Sequence, residues 1–150
     1  MSAEEHKALV IRIAEDVWNQ GNLAAVDELM AAGARYHGPH MPNGSGGRDD
    51  WRNAIAMYRN AFPDAHVTYD ELIVTADGIV GRWRATGTHK GELPGVLSTG
   101  RQIAISGITI YRIANGKIIE AWEQLDLLGM WQQLGIFTGP GHESGRITSV

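Results

Sequence analysis

The chain contains no cysteine, which removes disulfide scaffolds, thiolate zinc sites and cysteine nucleophiles together. No stretch approaches the roughly 18 consecutive apolar residues that a membrane span requires. The opening residues, MSAEEHKALV, meet acidic side chains before any apolar run and lack the core of a signal peptide. A cytoplasmic protein without a membrane partner is expected. Lys and Arg number 13 against 17 Asp and Glu, so the formal net charge is -4, with no basic stripe of the kind phosphate backbones require. Nucleic acid is therefore not an expected partner. Internal repeats and low-complexity blocks are also missing. What is present is globular composition: 43% hydrophobic and 20% charged residues over 150 positions. That is enough to bury one proper core and too little for two. A single domain over 1–150 is expected, with 138–150, glycine-containing and without apolar periodicity, as a loose tail.

From Glu4 to Trp18 the apolar positions Leu9, Val10, Ile13, Val17 and Trp18 recur mostly at spacings of three and four, the period of a helix with one buried stripe. Asn22 follows a turn at Gly21 and is placed to cap a second helix carrying Leu23, Val26, Leu29 and Met30. The segment Gly38 to Gly47 is too rich in Gly and Pro for a regular element and is read as a loop. Asp49 or Asp50 can cap a third helix with Trp51, Ile55, Tyr58 and Phe62 at helical spacing, stopped at Pro63. Strands are then expected over 66–74, 79–88, 102–113 and 117–125, with turns at Ala76-Asp77-Gly78 and Asn115-Gly116. A short helix or turn over 127–134 closes the pattern. Helices first and an antiparallel meander afterwards make an α+β domain. A strongly curved sheet with helices over its concave face would enclose a pocket, and Gly81, Gly87 and Gly107 are where a bulge or a close approach costs least.

The ionisable candidates for such a pocket are His37, His40, His89, Glu123 and Asp126, with Tyr36, Trp83, Trp122 and Thr109 as neighbours. His37 and His40 stand three apart in a Gly/Pro loop, without the helical register or the glutamate of a zinc hydrolase site, so no metal is expected. The glycines at 44, 46 and 47 lack the strand-to-helix setting of a phosphate loop. Alternation on the last two strands separates the faces. A two-residue Asn115-Gly116 turn would set Glu123 opposite Ile108, whereas a three-residue loop with a glycine bulge brings it opposite Gly107, on one face with Thr109. The second arrangement is preferred, because it leaves a carboxylate beside a small residue and a hydroxyl. In apolar surroundings that carboxylate would titrate closer to neutrality and could shuttle protons; on an exposed face it would be an ordinary solvated or salt-bridged glutamate. His89 closes a strand at a pocket mouth or on the surface. Asp126 suits a cap for the last helical turn and is also a candidate for activating water. The tryptophans, Trp18 among them, can form wall but cannot move protons.

The same segments carry a resemblance. Val17-Trp18-Asn19-Gln20-Gly21-Asn22, Gly87-Thr88-His89-Lys90-Gly91-Glu92 through Ser98-Thr99-Gly100-Arg101, Asn115 through Asp126, and Gln133-Leu134-Gly135 resemble the SnoaL-like polyketide cyclases, within the superfamily of ketosteroid isomerase and nuclear transport factor two. The resemblance spans about residues 5–136. It implies a cone-shaped barrel of a strongly curved antiparallel or mixed sheet packed on N-terminal helices, a small-molecule pocket, a homodimer and no cofactor. In the family's aldol cyclases an Asp abstracts the proton and a neighbouring His accommodates enolate charge; Glu123 and Thr109 stand at those positions here, and Gly38 stands where the family has an Asn. The leading expectation is cofactor-independent proton abstraction beside a carbonyl, leading to cyclisation or isomerisation of an apolar, polyketide-like ring compound. Glu123, His89 and Asp126 are the catalytic candidates, with Trp18, Tyr36, His37, Trp83, Thr109 and Trp122 contacting substrate. Hydrolysis or hydration by carboxylate-activated water, and a noncatalytic ligand-binding dimer, are the alternatives.

Overall fold

A computed structural model describes residues 2–136; the tail expected over 138–150 lies outside them. The first helix, α1 (Ala3–Arg12), begins at a capping box in which Ser2 and Glu5 satisfy each other's backbone N–H groups. It continues as one π-helical stretch over Ile13–Asn19. That wider winding turns Val17 into the core and leaves its neighbour Trp18 packed against the core's edge. The second helix, α2 (Ala25–Leu29), has no side-chain cap, so Asn22 does not play the part expected of it. Met30 belongs not to this helix but to a strand, β1 (Met30–His37), that sequence patterning missed. Its MAAGARYH has few β-branched or aromatic residues, and its register breaks between Met30 and Arg35. After a 3-10 turn (Pro42–Gly44) and the two-residue β2 (Ser45–Gly46), α3 (Arg48–Ala61) starts at Gly47. Asp50 is not the cap; from the first turn it accepts the Gly47 N–H at 2.9 Å. The strands β3 (His66–Thr75), β4 (Gly78–Thr88), β5 (Gln102–Ala114) and β6 (Lys117–Leu125) follow, then α4 (Leu127–Gln133).

The six strands lie in the order β2-β1-β6-β5-β4-β3, with β1 parallel to β6 and every other pair antiparallel. The expected barrel is corrected by this order. The sheet is open, mixed and not strongly curved, because its end strands β2 and β3 do not pair. Two physical reasons stand out. The β4–β5 ladder runs unbroken from Gly78↔Arg112 to Thr88↔Gln102, so Gly81, Gly87 and Gly107 do not serve as the bulges that would bend it. The free edge of β3 is also taken by a helix instead of another strand: the Asn19 amide donates to the Val67 carbonyl at 3.1 Å and accepts the Val67 N–H at 2.7 Å.

Helices cover one face of the sheet, and the buried side chains form two clusters. One gathers α1, α2, α3 and the β1–β6 side around Val10, Ile55, Tyr36 and Tyr111; the other joins Phe62, Leu93, Ile103, Met130 and Leu134. The seam between them is not filled. At Gly107 an added Cβ would come within 2.3 Å of the Trp83 ring, and at Gly81 within 2.6 Å of the Tyr69 ring. Close approach is thus the use the fold makes of these glycines, and it lets two aromatic rings lie against the sheet floor.

Asn19→Ala leaves the Val67 N–H and C=O without partners at a sheet edge, and a loss of about 1–2 kcal/mol in urea unfolding is expected.

Candidate active site

The seam is a cavity of about 740 Å³ including its open mouth, and its walls come from elements along most of the chain: Trp18 after α1, Tyr36 on β1, His40, Tyr58 and Phe62 around α3, Val67 and Tyr69 on β3, Trp83 on β4, Ile103, Ile105 and Tyr111 on β5, Glu123 on β6 and Met130 on α4. All four tyrosines of the chain face it. Among the described residues Glu123 is its single acidic wall residue, with a side chain only 12% exposed.

Glu123 reaches this face by a route different from the expected one. Asn115 and Gly116 have φ of 51° and 76°, the paired left-handed residues of a type I′ two-residue turn, so Ala114 pairs with Lys117 and the three-residue loop is not formed. One further residue, Ile119, is then inserted on β6, since Ile113 pairs with Ile118 but Arg112 with Glu120. The inserted residue shifts the register by one and moves every later side chain of β6 to the other face. Glu123 consequently sits opposite Thr109, sharing its face, and neither Ile108 nor Gly107 is its partner.

Around the carboxylate each oxygen has a distinct neighbour. The Tyr36 hydroxyl donates to Oε1 at 2.7 Å. Oε2 lies 3.9 Å from His40 Nε2, beyond direct hydrogen-bond range. Burial pushes the Glu123 carboxyl above the ordinary glutamate value, against the restraining effect of the Tyr36 and Thr109 hydroxyls. Burial also pushes His40 down to about 4, so at neutral pH its imidazole is uncharged. Tyr36, Tyr58 and Tyr69 are all pushed up, first by burial and then by neighbouring charge or hydroxyls, and they hold their protons. Tyr69 and Tyr111 join their hydroxyls at 2.8 Å. Such a site can bind a flat apolar molecule and take one proton from it.

The other candidates separate. Trp18, Tyr36 and Trp83 line the cavity with Glu123. Thr109 is fully buried behind the wall, its hydroxyl oxygen accepting the Trp83 indole N–H at 3.0 Å. His89 is also fully buried but outside the cavity; its Nδ1 accepts the Thr99 N–H at 3.2 Å and pins the loop between β4 and β5. Asp126 is exposed and caps α4 by accepting the Gly129 N–H at 2.9 Å. His37 and Trp122 occupy the opposite face of the sheet, where their rings stack at 5.3 Å and His37 pairs with Glu120 at 2.7 Å. Sequence reasoning did not select Tyr58, Tyr69 and Tyr111 and gave His40 no role. Tyr69 and Tyr111 shared the inward parity of their strands, whereas His40 lies in a loop without periodicity. Among the described residues no three His, Cys, Asp or Glu side chains converge to hold a metal ion, and no helix is long and apolar enough to cross a membrane.

The sequence model for SnoaL-like polyketide cyclases matches residues 8–134. The chain belongs to the SnoaL-like polyketide cyclase family. That membership makes it a small-molecule enzyme of the cyclase type. Among curated SnoaL-like relatives, the aklanonic acid methyl ester cyclase DnrD of Streptomyces peucetius is 29% identical over 109 residues, 72% of each chain. Among solved structures, TsrD from Streptomyces laurentii superposes with a TM-score of 0.82 at 26% identity, covering 91% of this chain and 99% of that one. IdmH from Streptomyces antibioticus gives 0.74 at 29% identity, covering 86% and 97%.

The electrostatics are testable before any substrate is known. Tyr36→Phe removes a donor that favours the charged form, so the Glu123 carboxyl should titrate higher still in a carbon-13 NMR titration. Because its native value is already raised, Glu123 contributes most to stability when protonated, and that contribution is lost as pH rises through its native value. Glu123→Gln, neutral throughout, should therefore gain in Tm relative to the parent chain as pH is raised from 4 to 8. A constant difference would show that the carboxyl is not desolvated.

Proposed function

We propose that the protein is a cofactor-independent cyclase in which Glu123 is the catalytic base, removing a proton from the carbon beside a carbonyl of an apolar, polyketide-type ring compound. The observation that supports this reading best is the placement of one buried carboxylate, held by Tyr36 through Oε1, in a cavity otherwise walled mainly by aromatic and aliphatic side chains. Tyr36 occupies Oε1 and leaves Oε2 as the oxygen that takes the proton. Removal from water raises the basicity of that oxygen, which brings it closer to working pH than an exposed glutamate would be. The resulting enolate carbon then adds to a second carbonyl of the same molecule, closing a ring, and the new alkoxide takes up a proton. Trp18, Trp83 and Phe62 offer flat apolar area on which a fused-ring substrate can be held in reactive alignment. The relatives named for aklanonic acid methyl ester make that compound the reasonable first substrate to assay.

We further propose that the enzyme works as a cytoplasmic homodimer joined through the outer face of its sheet. That face presents Ile73, Ile108, Ile110 and Ile119, from 41% to 52% exposed, beside Trp122 under the Arg112 guanidinium. Such an apolar patch favours a partner surface. Ile108→Lys combined with Ile110→Lys is expected to reduce the mass seen by light scattering from two chains to one.

Glu123→Gln should lower turnover of aklanonic acid methyl ester by at least about a hundredfold while leaving its binding intact, because the amide keeps the Tyr36 contact and loses the base. In the parent enzyme kcat/KM should fall as pH drops through the Glu123 titration. Turnover undiminished in Glu123→Gln would sink the assignment.

A further inference from the structure

A base explains removal of the proton but not the charge left behind. When the proton goes to Glu123 Oε2, the electron pair of the broken C–H bond moves to the carbonyl oxygen, and an uncompensated oxyanion in an apolar cavity is costly. The hydrogen-bonding groups nearest the base are already engaged. Tyr36 spends its hydroxyl proton on Oε1, and Thr109 is fully buried behind Trp83. The remaining polar group beside Oε2 is His40, which enters from the loop between β1 and β2 with its side chain 15% exposed.

Tyr58 holds His40 in two ways. Its Nδ1 lies 2.9 Å from the Tyr58 hydroxyl, and the two rings meet edge to face with centroids 4.5 Å apart. Tyr58 is half-buried and keeps its proton, so its hydroxyl has a hydrogen to give to Nδ1, and an uncharged imidazole that accepts there carries its own hydrogen on Nε2. Nε2 is the atom that faces Glu123 Oε2 across 3.9 Å. A lone pair pointed at a carboxylate would be repelled, so this second contact favours the same tautomer. The gap is too long for a hydrogen bond between the two side chains but suits a molecule that engages both. In an enolising H–Cα–C=O unit the α carbon and the oxygen are only about 2.4 Å apart, which allows Oε2 to take the hydrogen while Nε2–H meets the oxygen.

We infer that His40 is the oxyanion donor of this site, its neutral Nε2–H hydrogen-bonding the enolate oxygen, and that Tyr58 is the positioning residue that fixes its tautomer. The inference rests on the reading of Glu123 as base. No proton leaves His40 in the step: the α proton goes to Glu123, the charge goes to the carbonyl oxygen, and the imidazole lends a hydrogen bond. The competing donor is the Tyr69–Tyr111 hydroxyl pair, which has one proton not used between its two oxygens.

The test uses 4-nitrophenol as an oxyanion probe in full-length Glu123→Gln protein, where the amide mimics the base after it has gained its proton. Visible absorbance reports how much of the bound probe is phenolate. His40 should favour the phenolate, so the bound probe should ionise at lower pH in Glu123→Gln than in Glu123→Gln/His40→Phe, where burial acts alone and disfavours the charge as it does on the wall tyrosines. Glu123→Gln/Tyr111→Phe should keep the His40-dependent shift. With the base intact, His40→Phe should lower kcat for aklanonic acid methyl ester by about a hundredfold to a thousandfold with little change in KM, and His40→Asn should restore part of it. Tyr58→Phe keeps the ring packing and should change the imidazole nitrogen-15 shifts from the Nε2–H pattern toward a tautomer mixture. Failure of the probe to bind, a shift indifferent to His40, or one lost in Tyr111→Phe instead overturns the assignment. Glu123→Gln inactive beside an active His40→Phe would remove His40 and leave the base standing. A His40-dependent phenolate shift beside an active Glu123→Gln would remove the base instead.

Discussion

A carboxylate kept out of water is the constraint around which this structure is arranged. Ionised and unpaired in an apolar medium, Glu123 would cost more than a marginally stable fold can absorb. The surroundings answer in two ways, by lending hydroxyl donors from Tyr36 and Thr109 and by letting the acid hold its proton to higher pH than an exposed glutamate. Each response restricts the neighbours further. Tyr36 must lie inward on β1, opposite Ala121 of β6, and Thr109 must lie directly across from Glu123 on β5. The same desolvation keeps His40 neutral and the tyrosines protonated, so among the described residues the cavity wall has one carboxylate and no fixed positive charge.

The open sheet makes room for this arrangement. Had β2 and β3 paired, the helices would not have had an edge to dock on; instead Asn19 binds Val67 as a neighbouring strand would, and the π-helical turn before it brings Trp18 to the cavity. The two hydrophobic clusters then leave a seam between them, floored by Trp83 and Tyr69 lying close over Gly107 and Gly81. Rigid aromatic walls of this kind lose little freedom when a flat ligand enters. The cyclase family to which the chain belongs thus supplies the scaffold, while the imidazole facing the buried carboxylate comes from His40, on a loop, and not from the strand position occupied by Thr109.

Much of this was legible before folding was considered. Apolar spacing marked the first and third helices and four of the six strands, and the parity of residues along β5 put Thr109, Tyr111 and Ile113 on one face. These are local regularities, fixed by the 3.6 and 2.0 residue periods of the backbone. The absence of cysteine settled a whole class of chemistry from composition alone, and the motifs from Val17 through Gly135 identified the family.

Other features could not be read in this way, because they depend on residues distant in the chain. β1 has few strand-forming residues and exists because β6 offers it a parallel edge. Glu123 faces the cavity only because one residue, Ile119, is inserted after a tight turn, and a period of two gives no warning of a slip by one. His89 and Asp126 have the right chemistry and the wrong surroundings, since burial of one beside Thr99 and capping by the other are decided by packing. His40 and Tyr58 meet across 18 positions, and no local pattern links a Gly/Pro loop to a helix face. The sequence by itself determined the first and third helices, most strands, the family and the presence of Glu123 as a carboxylate candidate on the last strand. Which face that carboxylate took, and which imidazole stood beside it, only the tertiary structure decided, because strand register and desolvation are properties of the whole packed chain.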